Sequence, residues 1–181
     1  MSQIYDADEL SMALQRVSAD VYALLKDVDP SSIVFVGILT NGLFFAKRIQ
    51  ALLKQRGYHV ETPVMGLDIS LYRDDYASKN KDYMAVGATS QPVELDKKHV
   101  VLFDDVICTA RTVRAALNAI FDYGRPEKVS LAALYDRGHR QVPIEPNVIG
   151  QHLDVDMSLR VNVGFFEVIG EDNVMTGPFP D

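Results

Sequence analysis

Apolar positions change their period several times along this chain, and each change predicts an element. Leu10, Leu14, Val17, Val21 and Leu24 recur at helical spacing, with Asp6 or Asp8 placed to cap the helix and Asp29-Pro30-Ser31 to end it. Ile33-Val34-Phe35-Val36-Gly37 is a short unbroken apolar run rich in β-branched residues, the pattern of a strand buried on both faces. A turn at Thr40-Asn41-Gly42 leads into a helix over residues 43–56, stopped by Gly57. Residues 64–72 read as a second strand, and Val100-Val101-Leu102-Phe103 as a third. Val113, Leu117, Ile120 and Phe121 space a helix over residues 111–123, with Gly124 and Pro126 as its stop. Residues 129–135 are a fourth strand. After that the alternation breaks down, leaving only a strand-like stretch at residues 161–169.

Strands alternating with helices imply right-handed crossovers and a mainly parallel sheet flanked by helices. The expectation is one α/β domain over residues 1–181. Ligands bind such sheets at the carboxyl ends of the strands. Three polar clusters fall there: residues 39–42, 104–112 and 136–140. Between the second and third strands a polar stretch, about residues 73–92, is too long for a simple connection, and loops of that length commonly act as lids.

Composition narrows the class. The chain has 181 residues, 48% hydrophobic and 24% charged, as in ordinary globular domains, which excludes a disordered or fibrous chain. A single cysteine, Cys108, excludes an intrachain disulfide framework, and the four histidines show no zinc-site spacing. The first residues lack a basic and then apolar leader, and the run at residues 33–39 is far shorter than the ~20 residues that span a bilayer. The expected location is cytoplasmic, with no membrane partner. Net charge is −7, against general polyanion binding, but residues 111–140 hold six bases and three acids, whereas residues 141–181 hold seven acids and one base. A local basic patch therefore stays open.

The sharpest chemical signal is Val100-Val101-Leu102-Phe103-Asp104-Asp105-Val106-Ile107-Cys108-Thr109-Ala110-Arg111-Thr112. A helix N-terminus offers free N–H groups and partial positive charge to a phosphate, and the Thr109 and Thr112 hydroxyls add hydrogen bonds. Paired carboxylates at a strand end suit ribose hydroxyls, or Mg²⁺ held through water. Phosphate at one end and diol at the other describes a ribose 5-phosphate.

This segment resembles the signature of the type I phosphoribosyltransferases. Together with Leu71-Tyr72-Arg73-Asp74-Asp75, Gly124-Arg125-Pro126 and the run from Asp136-Arg137-Gly138-His139-Arg140 to Pro143-Ile144, it is similar to the PyrR-type family of pyrimidine operon attenuators and uracil phosphoribosyltransferases. The resemblance implies a three-layer fold with a C-terminal hood at about residues 136–170. It implies transfer of the 5-phosphoribosyl group from phosphoribosyl pyrophosphate to uracil, giving UMP and pyrophosphate in pyrimidine salvage. Mg²⁺ would travel on the pyrophosphate with no direct protein ligand, water-bridged to Asp104. UMP or UTP and RNA would be further partners in a homodimer or larger homo-oligomer.

The implied roles are residue by residue. Asp104 and Asp105 hold the ribose hydroxyls, and Asp105 with Arg73 is catalytic. Cys108, Thr109, Ala110, Arg111 and Thr112 form the 5-phosphate loop. Thr40, Asn41 and Gly42 belong to the pyrophosphate loop, which often carries a cis peptide in this family. Asp136 and Arg137 read the base, and Ile149 belongs to the hood over it. Arg73 opens a lid that includes Asp74, Asp75, Lys79 and Lys81. Arg111, Arg114, Arg125, Lys128, Arg137 and Arg140 are candidates to face RNA, while His139 is open between RNA, substrate and solvent.

Three positions depart from the family pattern. Leu39 and Asn41 stand where the pyrophosphate loop usually carries a basic residue and an arginine. A lost charge-assisted bond is worth roughly 1.5–3 kcal/mol, so weaker substrate binding is expected. Ala110 stands where glycine is usual, and Val148 where an aromatic residue would stack on the base. Two alternatives stand beside the uracil enzyme: a catalytically weak nucleotide-sensing RNA attenuator, and a phosphoribosyltransferase for another base.

Overall fold

A computed structural model describes residues 1–73 and 89–179. The larger part of the predicted lid, residues 74–88 with Asp74, Asp75, Lys79 and Lys81, lies outside the described residues.

Helix α1 (Ala7–Leu25) opens on a capping box: the Asp6 carboxylate accepts from Asp8 N and Glu9 N, and Glu9 reaches back to Asp6 N. Asp6 therefore takes the cap. Strand β2 (Ile33–Ile38) and helix α2 (Asn41–Gln55) follow, then the short β3 (Met65–Leu67). The strand predicted over residues 64–72 is cut to these three because the Asp68 carboxylate accepts from Ser70 N and a 3-10 turn, Ser70–Tyr72, follows. Strand β4 (His99–Ile107) runs past its apolar core to include the acid pair. Helix α3 (Arg111–Ile120) tightens into a 3-10 turn before Gly124, and β5 (Lys128–Asp136) completes the alternation.

With β6 (Val148–His152) at its edge, the main sheet has the order β3-β2-β4-β5-β6 and is parallel throughout. Alternate residues of β2 serve opposite faces. Ile33 and Phe35 pack under α1 and α2, while Val34 and Val36 pack under α3. Phe103 meets Phe35 and Phe45 edge to face, with ring centroids 5.1 and 5.2 Å apart. The chain leaves β2 for β3 on one side and for β4 on the other. That reversal opens a crevice outside the carboxyl ends of β2 and β4.

A second, antiparallel sheet stands over that crevice. It joins β1 (Ser2–Tyr5), β8 (Asn173–Pro178) and β7 (Leu159–Gly164) in the order β1-β8-β7. The strand-like pattern at residues 161–169 is thus two elements, β7 and the four-residue helix α4 (Phe166–Ile169). The predicted hood needs correction at both ends. Strand β6 (Val148–His152) is the edge of the main sheet, paired with β5, and the hood recruits the N-terminal strand instead.

Candidate functional site

The acid pair sits where β4 leaves the core. Asp104 is buried, and its Oδ2 is fully shielded with no hydrogen-bond partner among the described residues. Burial first, and the neighbouring Asp105 charge second, hold the Asp104 carboxyl well above the usual carboxylate range. Burial also raises Asp105, opposed by the hydrogen bond it accepts from Asn41. Two adjacent acids that resist ionisation are poised to take a cation or hydroxyl donors beside them.

After β4 the chain turns through Cys108 and Thr109 into α3. Ala110 caps the helix with φ +66°, in the left-handed region, which for a residue with a Cβ costs about 1–2 kcal/mol. The usual glycine at this position has a physical reason. The loop is braced from behind by the arginine-rich turn after β5. Arg140 donates to Cys108 O at 2.9 Å, and Gln141 N and Val142 N donate to Thr109 O. Arg111 is exposed and its Nε donates to Gln141 Oε1 at 2.8 Å.

Across the crevice the 39–42 loop is pressed against the sheet. A Cβ on Gly37 would lie 2.3 Å from Gly42 O, and one on Gly42 would lie 2.5 Å from Phe103 O, so only glycine allows this approach. The Leu39–Thr40 peptide is cis, the form the family resemblance implied. Asn41 does not point out as a phosphate ligand. Its Nδ2 donates to Asp105 Oδ2 and to Val163 O of the hood, each at 2.9 Å.

Between these elements lies a cavity of about 430 Å³. Asp104, Asp105, Cys108, Thr109 and Thr112 line it from the main sheet, with Leu39 and Arg73 beside them. Arg137 lines it from the end of β5, and Met157, Arg160, Val161 and Phe179 line it from the hood side. The last four were missed in the sequence, where nothing marks an isolated arginine in an acidic tail as part of a site. Thr40, Gly42, Ala110 and Arg111 are not among the lining residues; they shape the loops whose other members are.

Two sequence expectations need correction. Asp136 was expected to read a base, but its carboxylate is buried and taken up by a two-bond pair with Arg140, at 2.8 and 2.7 Å, and by Gly138 N at 2.8 Å. Burial would raise this carboxyl, but those hydrogen bonds prevail and lower it. Ile149 and Val148 were expected over the base. Both lie in β6, and Val148 packs into the core, so its departure from an aromatic residue removes no stacking surface from the cavity. Arg140, an RNA candidate, also turns inward, donating besides to Ile144 O and Glu145.

Residues 1–161 match the family described as "Phosphoribosyl transferase domain". The chain is 42% identical over 173 residues to "Bifunctional protein PyrR 1" of Lactiplantibacillus plantarum, covering 95% of this chain and 94% of the relative. It is 42% identical over 172 residues to "Bifunctional protein PyrR" of Syntrophobacter fumaroxidans, covering 95% and 90%. Among solved structures it is similar to the HGPRT-ase of Leishmania tarentolae in complex with GMP, with TM-score 0.69 and 14% identity over 96% of this chain and 94% of that one. The hypoxanthine phosphoribosyltransferase of Trypanosoma cruzi superposes with TM-score 0.65 at 16% identity, covering 97% and 95%. These two likenesses speak to the fold alone.

Proposed function

The chain belongs to the phosphoribosyl transferase family and, within it, to the PyrR group, and from that premise we propose that it transfers the 5-phosphoribosyl group of phosphoribosyl pyrophosphate to uracil. The products are UMP and pyrophosphate. The observation that carries this reading is one cavity in which an acid pair, a phosphate-type loop at a helix N-terminus and arginines from both walls converge.

In this reaction the bond from C1 of the ribose to the pyrophosphate oxygen breaks, and a bond from C1 to N1 of uracil forms as N1 gives its proton to the leaving pyrophosphate or to solvent. Positive charge develops on the ribose and negative charge on the leaving group. Asp104 and Asp105 hold the ribose hydroxyls, and the Asp105 carboxylate faces the developing cation. Residues 108–112 bind the 5-phosphate through backbone N–H groups and the Thr109 and Thr112 hydroxyls. Arg73, which lines the same cavity beside the acid pair, faces the leaving group. The base lies toward the hood side, where Met157, Val161 and Phe179 offer apolar surface. Catalysis of this kind is positioning and charge stabilisation.

Magnesium fits the site through the unpartnered Asp104 Oδ2. Among the described residues no three His, Cys, Asp or Glu side chains converge to hold a metal, so the ion would arrive on the substrate and meet Asp104 through water. Bound there, it neutralises charge on the pyrophosphate.

Pyrimidine operon regulation, by RNA binding with UMP or UTP as the sensed nucleotide, is the second half of the proposal. The exposed Arg125 and Lys128, at the amino end of β5, support an RNA-facing surface; Arg111 is exposed at the opposite end of the sheet, and Arg140 and Arg137 are turned inward. RNA affinity is expected to fall steeply with salt; tight binding with a flat salt slope contradicts it. A cytoplasmic homodimer or larger homo-oligomer goes with this role, and a 20 kDa species alone in sedimentation at micromolar concentration contradicts it. Among the described residues, no helix is long and apolar enough to cross a membrane.

The enzyme is tested by pyrophosphate release from phosphoribosyl pyrophosphate and Mg²⁺ with uracil, hypoxanthine, xanthine, guanine and orotate. Turnover with uracil alone is expected. Turnover with a purine instead reassigns the base, and no turnover in a folded protein that binds UMP leaves only the sensing role.

A further inference from the structure

One side chain joins the sheet side of the cavity to the hood side. Asn41 is the first residue of α2, and close packing fixes its backbone. A Cβ on the next residue, Gly42, would lie 2.5 Å from Phe103 O of β4, and one on Gly37 would lie 2.3 Å from Gly42 O. From that fixed point the amide uses both of its N–H groups. Nδ2 donates to Asp105 Oδ2 of β4 and to Val163 O of β7, each at 2.9 Å. A main-chain carbonyl accepts and does not donate, so the amide nitrogen, and not its oxygen, must face it. Both ends of the bridge are anchored. Asp105 follows the buried Phe103 and Asp104, and Val163 is buried, pairs with Val174 and joins the core that holds Phe103. The Asp105 carboxylate lines the cavity, and its rotation is what the Asn41 bond restrains.

We propose that Asn41 is a positioning residue for the reaction: its amide fixes the Asp105 carboxylate against the hood, so that the group facing the developing cation and the strand that covers the cavity keep one register. The proposal rests on the phosphoribosyltransferase reading of the cavity. Asn41 is not among the residues that line the cavity, and it acts through Asp105. Arg137 holds the other end of β7, at Asp156 O and Leu159 O, whereas the Asn41 fastening also holds a reacting group. Where catalysis is positioning and charge stabilisation, a reacting group displaced by about 1 Å costs on the order of 10²-fold in rate. Asparagine suits the task because its short amide offers two donors from one nitrogen. An acid of the same shape offers none when ionised, and alanine leaves Asp105 Oδ2 and Val163 O without the donor they share. The hood partner is a main-chain carbonyl, so the bridge sets the place of the strand itself rather than of one side chain on it.

The test is steady-state turnover of phosphoribosyl pyrophosphate and uracil with Mg²⁺ by the full chain and by Asn41→Ala, Asn41→Asp and Arg48→Met, with thermal melting to check folding and amide exchange to follow β7. Asn41→Ala is expected to lower kcat at least about tenfold, the scale of a displaced reacting group, with KM for both substrates within about threefold. Asn41→Asp keeps the shape of the side chain, loses the donors and is expected to fall at least as far. Arg48→Met loosens the hood through Glu167 and Asp172 and leaves the Asn41–Asp105 bond in place. It is expected to speed exchange in β7 while kcat stays within about threefold of the wild type. A kcat within about threefold of the wild type in folded Asn41→Ala overturns the assignment. So does an equal fall in Arg48→Met, which traces the effect to hood packing alone. A loss confined to KM for phosphoribosyl pyrophosphate also overturns it, because Asn41 is then a ligand contact. If Asn41→Ala does not fold, Asn41→Asp is read by the same limits. A wild-type chain that turns over uracil beside an unchanged Asn41→Ala removes this role alone. A wild-type chain that turns over no base removes the reading of the cavity and this role with it.

Discussion

The two walls of the cavity are held in place by different forces. The sheet wall, with Asp104, Asp105 and the 108–112 loop, grows out of strands packed on both faces, and the side chains beneath it, such as Val101, Leu102 and Phe103, are fully buried. The hood wall sets only a few side chains, Val163, Phe165 and Val174, into that core and adds polar fastenings. Arg48 pairs with Glu167 at 2.6 Å and with Asp172 at 2.7 Å, and its guanidinium lies 4.9 Å from the centre of the Phe165 ring. Arg137 and Asn41 add their hydrogen bonds to hood carbonyls. Apolar packing is non-directional and insensitive to pH, whereas ion pairs are directional and respond to pH and salt.

Several changes set the walls against each other. The largest effect is expected from Asp105→Asn on the sheet wall. It should cut turnover about 10²–10³-fold, the range for losing one preorganised polar group at the reacting centre, without lowering the melting temperature, since burial disfavours the carboxylate in the ligand-free protein. Turnover within tenfold of wild type would remove Asp105 from the chemistry. Next comes Arg140→Met, which leaves the buried Asp136 carboxylate without its partner and should lower global stability by about 3 kcal/mol in denaturant titrations. A loss below 1 kcal/mol would mean the brace behind the phosphate loop is dispensable.

Arg48→Met cuts the hood fastening instead. Its partners are partly exposed and the pair is screened, so a global loss of about 1–2 kcal/mol is expected. The sharper readout is faster amide exchange confined to β7 and β8. Exchange rising equally in β4 and β5 would show that the walls do not separate. Ala110→Gly should raise stability by about 1 kcal/mol by relieving the positive φ, less the entropy glycine adds to the unfolded chain.

Acid acts with opposite sign on the hood acids and on the Asp104–Asp105 pair, while Asp136 at the end of β5 follows the sign of the hood acids. Hydrogen bonds from Arg48 lower Glu167 and Asp172, so the folded state binds fewer protons there than the unfolded chain. Their contribution is complete above about pH 5 and fades as pH falls below about 4. Burial raises Asp104 and Asp105, so the folded state binds more protons at that pair, and acidification relieves it. The hood should therefore loosen in acid before the sheet does, visible as amide exchange in β7 accelerating between about pH 5 and pH 3 ahead of β4.

The sheet wall was largely legible in the sequence, and for the same reason that it is rigid. Val100-Val101-Leu102-Phe103 is an uninterrupted apolar run, and the acids and threonines stand at fixed offsets from it within one local stretch. The hood was not legible. Its strands pair residues at opposite ends of the chain, Ser2 with Thr176 and Gln3 with Met175, and half-exposed four- to six-residue strands carry little periodicity. Asp136 misled because a carboxylate at a strand end reads alike whether it meets a ligand or, as here, an arginine four residues on. Asn41 looked like a lost charge, and its hydrogen bonds to Asp105 and Val163 become visible only when β7 is folded over the loop.

The measurement that bears most directly on the cavity between the walls is amide hydrogen exchange with and without phosphoribosyl pyrophosphate and Mg²⁺. A ligand seated between sheet and hood should slow exchange in residues 159–163 of the hood and in residues 108–112, and leave the core of β4 unchanged. Slowed exchange at residues 108–112 with the hood untouched would mean that the hood is no wall of the site.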